Sequence, residues 1–440
     1  MSTLTARSSD ARGIVTLALP ALVVLAAEPL YVLVDTAVVG HLGKVQLAGL
    51  ALGGTILSVA AALANFLAYG TTGRAARRYG AGDRPGAVAE GVQASWLALG
   101  FGVAFVLLAQ VLAGPVTRLL AGDGPDGAAI AAGAAQWLRI ASFGVPGVLL
   151  ALAGNGWMRG VQDTRRPLVF VLGANLLSAA LGPVLVYGAG LGLVGSAMAN
   201  VTAQTLSAAL FVAALLSERT ALRPHPDVLR AQLAVGRDLV LRTLSMQLCF
   251  TSAAAVAARF GAASVGAHQI ALQLWNFCAL LLDSVAVAAQ SLVGADLGAG
   301  RVAEARHTAR RIGLAGAVCG TGLAVLIGAG APVLPAVFSG DAAVHHQAML
   351  AWPWFVGLLP FAGVVFALDG VLIGAGDVGY LRNLTLVSTL CGFLPAVWLA
   401  YALDLGLGGV WAGLAVFILV RFALIVVRAV RGRWAVAGAR

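Results

Sequence analysis

Twelve apolar runs of about 20 residues or more follow one another along this chain of 440 residues. They lie at about 14–39, 45–72, 88–113, 128–157, 167–188, 191–216, 236–258, 264–294, 310–332, 345–374, 381–403 and 408–430. Twenty apolar residues is the length a helix needs to cross the hydrocarbon of a bilayer. The chain therefore reads as an all-α polytopic membrane protein of twelve transmembrane helices. Several runs exceed the crossing length, so tilts or kinks are expected. Composition agrees. Hydrophobic residues make up 60% and charged residues 10%, where a soluble domain carries about a quarter charged. A cytosolic enzyme, a secreted disulfide scaffold and a disordered chain are excluded on that ground. No soluble domain fits between the runs. The longest polar interval, about 217–235, reads as a cytoplasmic linker. It separates an expected amino-terminal lobe (1–216, helices 1–6) from a carboxy-terminal lobe (236–440, helices 7–12). The run beginning at Gly13 outlasts the core of a signal peptide and reads as an uncleaved first helix.

The net charge of +10 does not point to nucleic acid, because the basic residues are dispersed between apolar runs. Their distribution instead gives an orientation. With the amino terminus in the cytoplasm, all but Lys44, Arg118, Arg139 and Arg259 fall at cytoplasmic ends, from Arg7 and Arg12 through Arg242 to Arg421 and Arg440. Both termini are then cytoplasmic, and a plasma (cell inner) membrane is expected. Four cysteines (Cys249, Cys278, Cys319, Cys391) sit far apart in apolar runs and read as packing residues. His345-His346 has no third ligand beside it, so no metal and no cofactor is expected. Gly374–Gly379 fits G-x-G-x-x-G but follows a membrane helix rather than a strand, which removes a dinucleotide site. No P-loop occurs, so ATP is not the energy source.

The chain also matches itself. Displaced by 218 positions, Leu42-Gly43 falls on Phe260-Gly261 and Gly80-Ala81-Gly82 on Gly298-Ala299-Gly300. Displaced by 214, Gly160 meets Gly374, Asp163 meets Asp377, Tyr187 meets Tyr401, and Leu191-Gly192-Leu193 meets Leu405-Gly406-Leu407. Six helices per half give both halves the same topology, so these are parallel repeats. Such repeats form a cleft whose two walls rock to give alternating access. That points to a transporter.

Four acids lie within apolar runs: Glu28, Asp35, Asp283 and Asp369. An ionised carboxylate at mid-bilayer costs several kcal/mol. It is stabilised by pairing, by water in a cavity, or by taking a proton. Asp35 has no Arg or Lys within two turns on its own helix. A carboxyl that trades a proton there can couple to a proton gradient and attract a cation when ionised. Glu28 and Asp35 are two turns apart and share a face. Pro20 and Pro29, on the same helix, each remove a backbone donor and invite a bend. Asn155, Asn175, Asn200, Gln204, Asp283 and Asp369 are candidates to line the substrate cavity.

The stretch Glu28-Pro29-Leu30-Tyr31-Val32-Leu33-Val34-Asp35-Thr36-Ala37-Val38-Val39-Gly40-His41-Leu42-Gly43 resembles the multidrug and toxic compound extrusion (MATE) family, in particular its DNA-damage-inducible protein F (DinF) branch. Gly70-Thr71-Thr72-Gly73, Arg159–Arg165 and Leu368-Asp369-Gly370 extend the resemblance over essentially the whole chain. It implies two six-helix lobes forming a V and export of cationic or amphipathic compounds against inward H⁺ or Na⁺. By that likeness Asp35 is the proton-carrying acid, Pro20 marks a bend and Asn155 a polar cavity position. Some members carry Asn and Asp where this chain has Ser178 and Gly182, which leaves Asp35 fewer expected partners. Met246 and Gln247 supply no acid for the sodium site of another branch.

The expected function is therefore a monomeric antiporter of small organic cations, driven by H⁺ in preference to Na⁺, with the lipid bilayer as its surroundings and no nucleic-acid partner. Two alternatives remain open at this point. A lipid-linked saccharide flippase of the same superfamily would need arginines facing its cavity. A membrane transferase would need a converging His/Asp cluster or an Asp-rich Mg²⁺ motif; neither motif is found, so an enzyme is not expected.

Overall fold

The computed structural model describes residues 11–438, so Arg7 and Arg440 lie outside the described residues. Every apolar run is helical. The helices are α1 (Ala11–Gly40), α2 (Lys44–Gly80), α3 (Arg84–Ala121), α4 (Gly127–Ser142 continued by Val145–Gly160), α5 (Arg165–Gly188), α6 (Gly192–Ser217), α7 (Pro226–Arg259), α8 (Ala262–Gly298), α9 (Val302–Ala329), α10 (Ala342–Gly374), α11 (Val378–Ala402) and α12 (Gly406–Arg431). Eleven are single crossings by length and hydropathy, α2 with a one-residue break at Asn65; α4 makes the twelfth as a pair of half-helices meeting at 49°. The corner falls at Phe143-Gly144, just ahead of Pro146, which lacks the donor a continuous helix requires. Helix α1 runs through both Pro20 and Pro29 without interruption. Helices α5 and α11 each carry a π-helical turn, at Val184–Gly188 and Ser388–Phe393.

The interval 217–235 is only partly a loop, because α7 begins at Pro226. Its irregular part is tied down. Trp96 Nε1 donates to the Leu222 carbonyl (2.8 Å), Gln93 Nε2 to the Arg223 carbonyl (2.9 Å), and the His225 N–H to Gln93 Oε1 (2.8 Å). Arg84 grips Glu218 through two N–H groups (2.8 and 3.2 Å).

The chain forms two compact units. The amino-terminal unit comprises Val23–Tyr79 and Asp83–Gly236. The carboxy-terminal unit takes the described residues up to Leu22, Gly80–Gly82 and the chain from Arg237 on. One core cluster of the first centres on Trp157, Met158, Phe211 and Val92, and that of the second on Trp352, Phe355, Phe393 and Trp411.

The repeat read in the sequence recurs in the contacts. A Cβ on Gly156 would lie 2.8 Å from the Ala68 carbonyl oxygen; a Cβ on Gly370 would lie 2.3 Å from that of Ala286. These four positions are equivalent under the two displacements. Both crossings bring backbone against backbone, which only glycine permits. The corners recur as well: Gly82 and Gly300 hold φ of 82° and 77°, the left-handed region that favours glycine. In one pair the charges are exchanged. Arg78 pairs with Asp83 (3.3 Å), whereas Asp296 at the place of Arg78 pairs with Arg301 at the place of Asp83 (2.8 Å). Gly370→Val is accordingly expected to force α8 and α10 apart, costing about 1–3 kcal/mol. A lowered unfolding temperature of the purified protein in detergent checks it.

Candidate functional site

Helix periodicity places Tyr31 and Asp35, four residues apart, on one face of α1, and Ser196 and Asn200, also four apart, on one face of α6. The two faces meet. Ser196 Oγ donates to Asp35 Oδ2 at 2.9 Å, and Asn200 Nδ2 lies 3.4 Å from the Tyr31 hydroxyl oxygen. Trp137 Nε1, from α4, donates to Ser196 Oγ at 3.3 Å. The indole occupies an acceptor site of the hydroxyl and leaves its proton for Asp35. Gly53 on α2 makes room for that indole, since a Cβ there would lie 2.7 Å from the ring. Val39, Leu138, Ala141 and Ala197 pack in the same apolar cluster as Trp137.

Asp35 is 8% exposed, and among the described residues no guanidinium or ammonium pairs with it. A buried carboxylate with one hydroxyl donor is poorly compensated when ionised. A proton or an external cation completes it. The site can therefore exchange one positive charge for another.

Other candidates fall elsewhere. Glu28, on the same face of α1, is exposed, as is Pro29. Pro20, Asn175, Gln204 and Asp283 are half-buried. Asn155 is buried with Oδ1 unpaired, and Ser178 on α5 is buried beside Tyr31. Asp35 thus takes its partner from α6 rather than from α5.

Asp369, in the carboxy-terminal unit, has the opposite environment. Its Oδ2 accepts from Arg421 Nη2 at 2.6 Å and from Arg242 Nη2 at 2.7 Å. Arg421 is fully buried, with Nη1 3.8 Å from Met246 Sδ and its guanidinium 5.6 Å from the Phe417 ring centre. The charge distribution placed Arg242 and Arg421 at cytoplasmic ends. The structure places both within helices, Arg242 half-buried in α7 and Arg421 fully buried in α12, and both are gathered by one acid. Arg421 was legible as an intramembrane charge, because Phe417–Val420 and Phe422–Val427 flank it. In the amino-terminal unit the interior ion-pair hub is Glu90, held by Arg74 (2.8 and 2.9 Å), Arg78 (3.0 Å) and Gln232 (2.9 Å). Ser196, Tyr31 and Trp137 carried no signal of their own in the sequence.

A polytopic helical bundle built from a repeated six-helix half is the architecture of a membrane transporter. The MatE family profile matches this chain twice, over residues 20–184 and 239–398, a displacement that agrees with the internal repeat to within a residue. Protein DETOXIFICATION 44, chloroplastic, of Arabidopsis thaliana is 31% identical over 93% of this chain and 80% of its own length. DNA damage-inducible protein F of Escherichia coli is 31% identical over 92% of this chain and 89% of its own. A crystal structure of MATE in the bent conformation superposes with a TM-score of 0.88 at 23% identity, covering 97% of this chain and 96% of that one. The chain belongs to the MatE family of efflux transporters, and the all-α twelve-helix fold and the likeness to the DinF protein stand as read from the sequence.

Proposed function

We propose that the protein is a proton-coupled antiporter that exports cationic or amphipathic small molecules by alternating access, with Asp35 as the titrating group. The observation that carries this reading is the contrast between two intramembrane acids. Asp369 is committed to two guanidiniums, whereas Asp35 has one hydroxyl partner and, among the described residues, no guanidinium or ammonium paired with it. Ionised Asp35 holds the cationic cargo. A proton arriving from outside neutralises it, the attraction is lost and the cargo leaves. One proton moving through about 150 mV supplies roughly 3.5 kcal/mol, enough for a few-hundred-fold gradient at about 1.4 kcal/mol per decade. H⁺ is preferred to Na⁺ because one carboxylate with one hydroxyl suffices for a proton, while a hard metal cation needs several converging oxygens.

The lobes are taken as 1–216 and 236–440 joined by 217–235, with both termini cytoplasmic in the plasma membrane and the chain acting as a monomer. The flippase alternative needs unpaired guanidiniums facing the substrate cavity; Arg242 and Arg421 are engaged by Asp369, and Arg118 and Arg139 line a separate cavity between α3 and α4 that does not include Asp35. The test is uptake of a fluorescent organic cation into inside-out proteoliposomes under an imposed pH gradient, an imposed Na⁺ gradient, or neither. Accumulation that follows the pH gradient and collapses with a protonophore is expected. Accumulation that follows Na⁺ alone would replace the coupling ion, and flipping of a lipid-linked saccharide without cation transport would replace the function.

A further inference from the structure

Arg139 is the one outer-side arginine within an apolar run that the transport reading leaves unexplained. It lies about three turns (~18 Å) into the first half of α4, and it is exposed. Arg118, near the end of α3, is exposed too. Among the described residues neither guanidinium has an ion-pair partner, whereas Lys44, nearby in orientation, pairs with Asp126 at 2.8 Å. A guanidinium inside a membrane span is costly without a counter-charge.

Both arginines line one cavity of about 850 Å³ between α3 and α4. Its other charged lining residue is Asp123, which leaves the cavity one positive charge in excess. Gly114 and Ala131, Ala132 and Ala135 keep its walls open, and a Cβ on Gly114 would sit 3.7 Å from Arg139 Nη2. Gly122, Asp123 and Gly124, in the connection that follows α3, line one end of the cavity. Toward the bilayer middle, Val111 (71% exposed) and Leu107 (63%) continue the Gly114–Arg118 stripe of α3, and Phe143 (58%) continues that of Arg139 on α4. The groove thus carries its charges toward the 122–126 connection and is apolar farther from it.

We propose that this groove binds an anionic phospholipid, its phosphate held between Arg118 and Arg139 and its chains lying along Leu107, Val111 and Phe143. Guanidinium forks match phosphate oxygens two at a time, and basic pockets between membrane helices take anionic headgroups. The site is independent of Asp35 and of the coupling ion.

The full-length protein is purified, delipidated in mild detergent and given phosphatidylglycerol, phosphatidylcholine or inorganic phosphate. Lipid adducts are counted by native mass spectrometry. Phosphatidylglycerol is expected to be retained at least tenfold better than phosphatidylcholine, and Arg118→Gln with Arg139→Gln to remove that preference while Arg259→Gln leaves it intact. The unfolding temperature without lipid confirms that the double variant is folded; should it not be, Arg139→Lys, which keeps the charge but loses the fork, is expected to weaken retention partially. Unchanged preference in the double variant overturns the site. Displacement of the lipid by millimolar inorganic phosphate, with equal protection by phosphate alone, overturns the lipid as occupant in favour of a soluble anion.

Discussion

Asp35→Asn is expected to abolish pH-driven export, lowering the steady accumulation of a fluorescent cation in proteoliposomes from as much as a few hundredfold to about unity. The amide keeps the shape of the side chain and still accepts from Ser196, but it can neither carry a proton nor hold a cation by charge. Downhill exchange of an unchargeable amphipathic cargo is expected to survive, because the surrounding helix contacts are unaltered. Ser196→Ala gives a graded version. It removes one hydrogen bond to a charged group, worth about 1.5–3 kcal/mol, and is expected to reduce coupled transport about tenfold without abolishing it. A variant Asp35→Asn that still accumulates cation against a pH gradient would place the coupling elsewhere.

The second large effect concerns stability. Asp369 compensates Arg242 and Arg421 in the interior of the carboxy-terminal unit. Removing one member of a buried ion cluster costs about 3–5 kcal/mol, because the remaining charges stay buried without a partner. Asp369→Ala strands two guanidiniums and is expected to lower the unfolding temperature in detergent more than any single change at an exposed residue. Replacing the whole triad by apolar residues of similar volume, Asp369→Leu with Arg242→Met and Arg421→Met, is expected to recover most of the loss, since such exchanges are often neutral or stabilising. Equal stability of Asp369→Ala and the wild type would show that the arginines are compensated by other means.

Much of the fold was legible because the bilayer imposes a length. Each run long enough to cross became a helix, and the sharp corner at Phe143-Gly144 in α4 was hidden inside a run that looked continuous. The repeat was legible because glycines are required at its crossings and corners: Gly156 and Gly370 by close backbone approach, Gly82 and Gly300 by left-handed φ. The acid at residue 35 was legible as a charge in an apolar run. Its environment was not. Ser196 and Trp137 are ordinary residues for a membrane helix, and only the packing of α6 and α4 against α1 brings them to the carboxyl. Arg421 was missed as a buried charge because a count of positive charges at loop ends treats every arginine as a topology signal. An arginine with four apolar residues before it and six after it is instead an interior charge that needs an acid, and Asp369 supplies it.

The central claim is that a proton and a cationic cargo compete for one carboxyl group. It is tested most directly by measuring protons released into weakly buffered detergent solution when a binding cation is added to the purified protein. The account predicts release of up to about one proton per cation bound by the wild type, and none by Asp35→Asn. Equal release by the two proteins, or no release by a wild type that binds the cation across the pH range of transport, would contradict it.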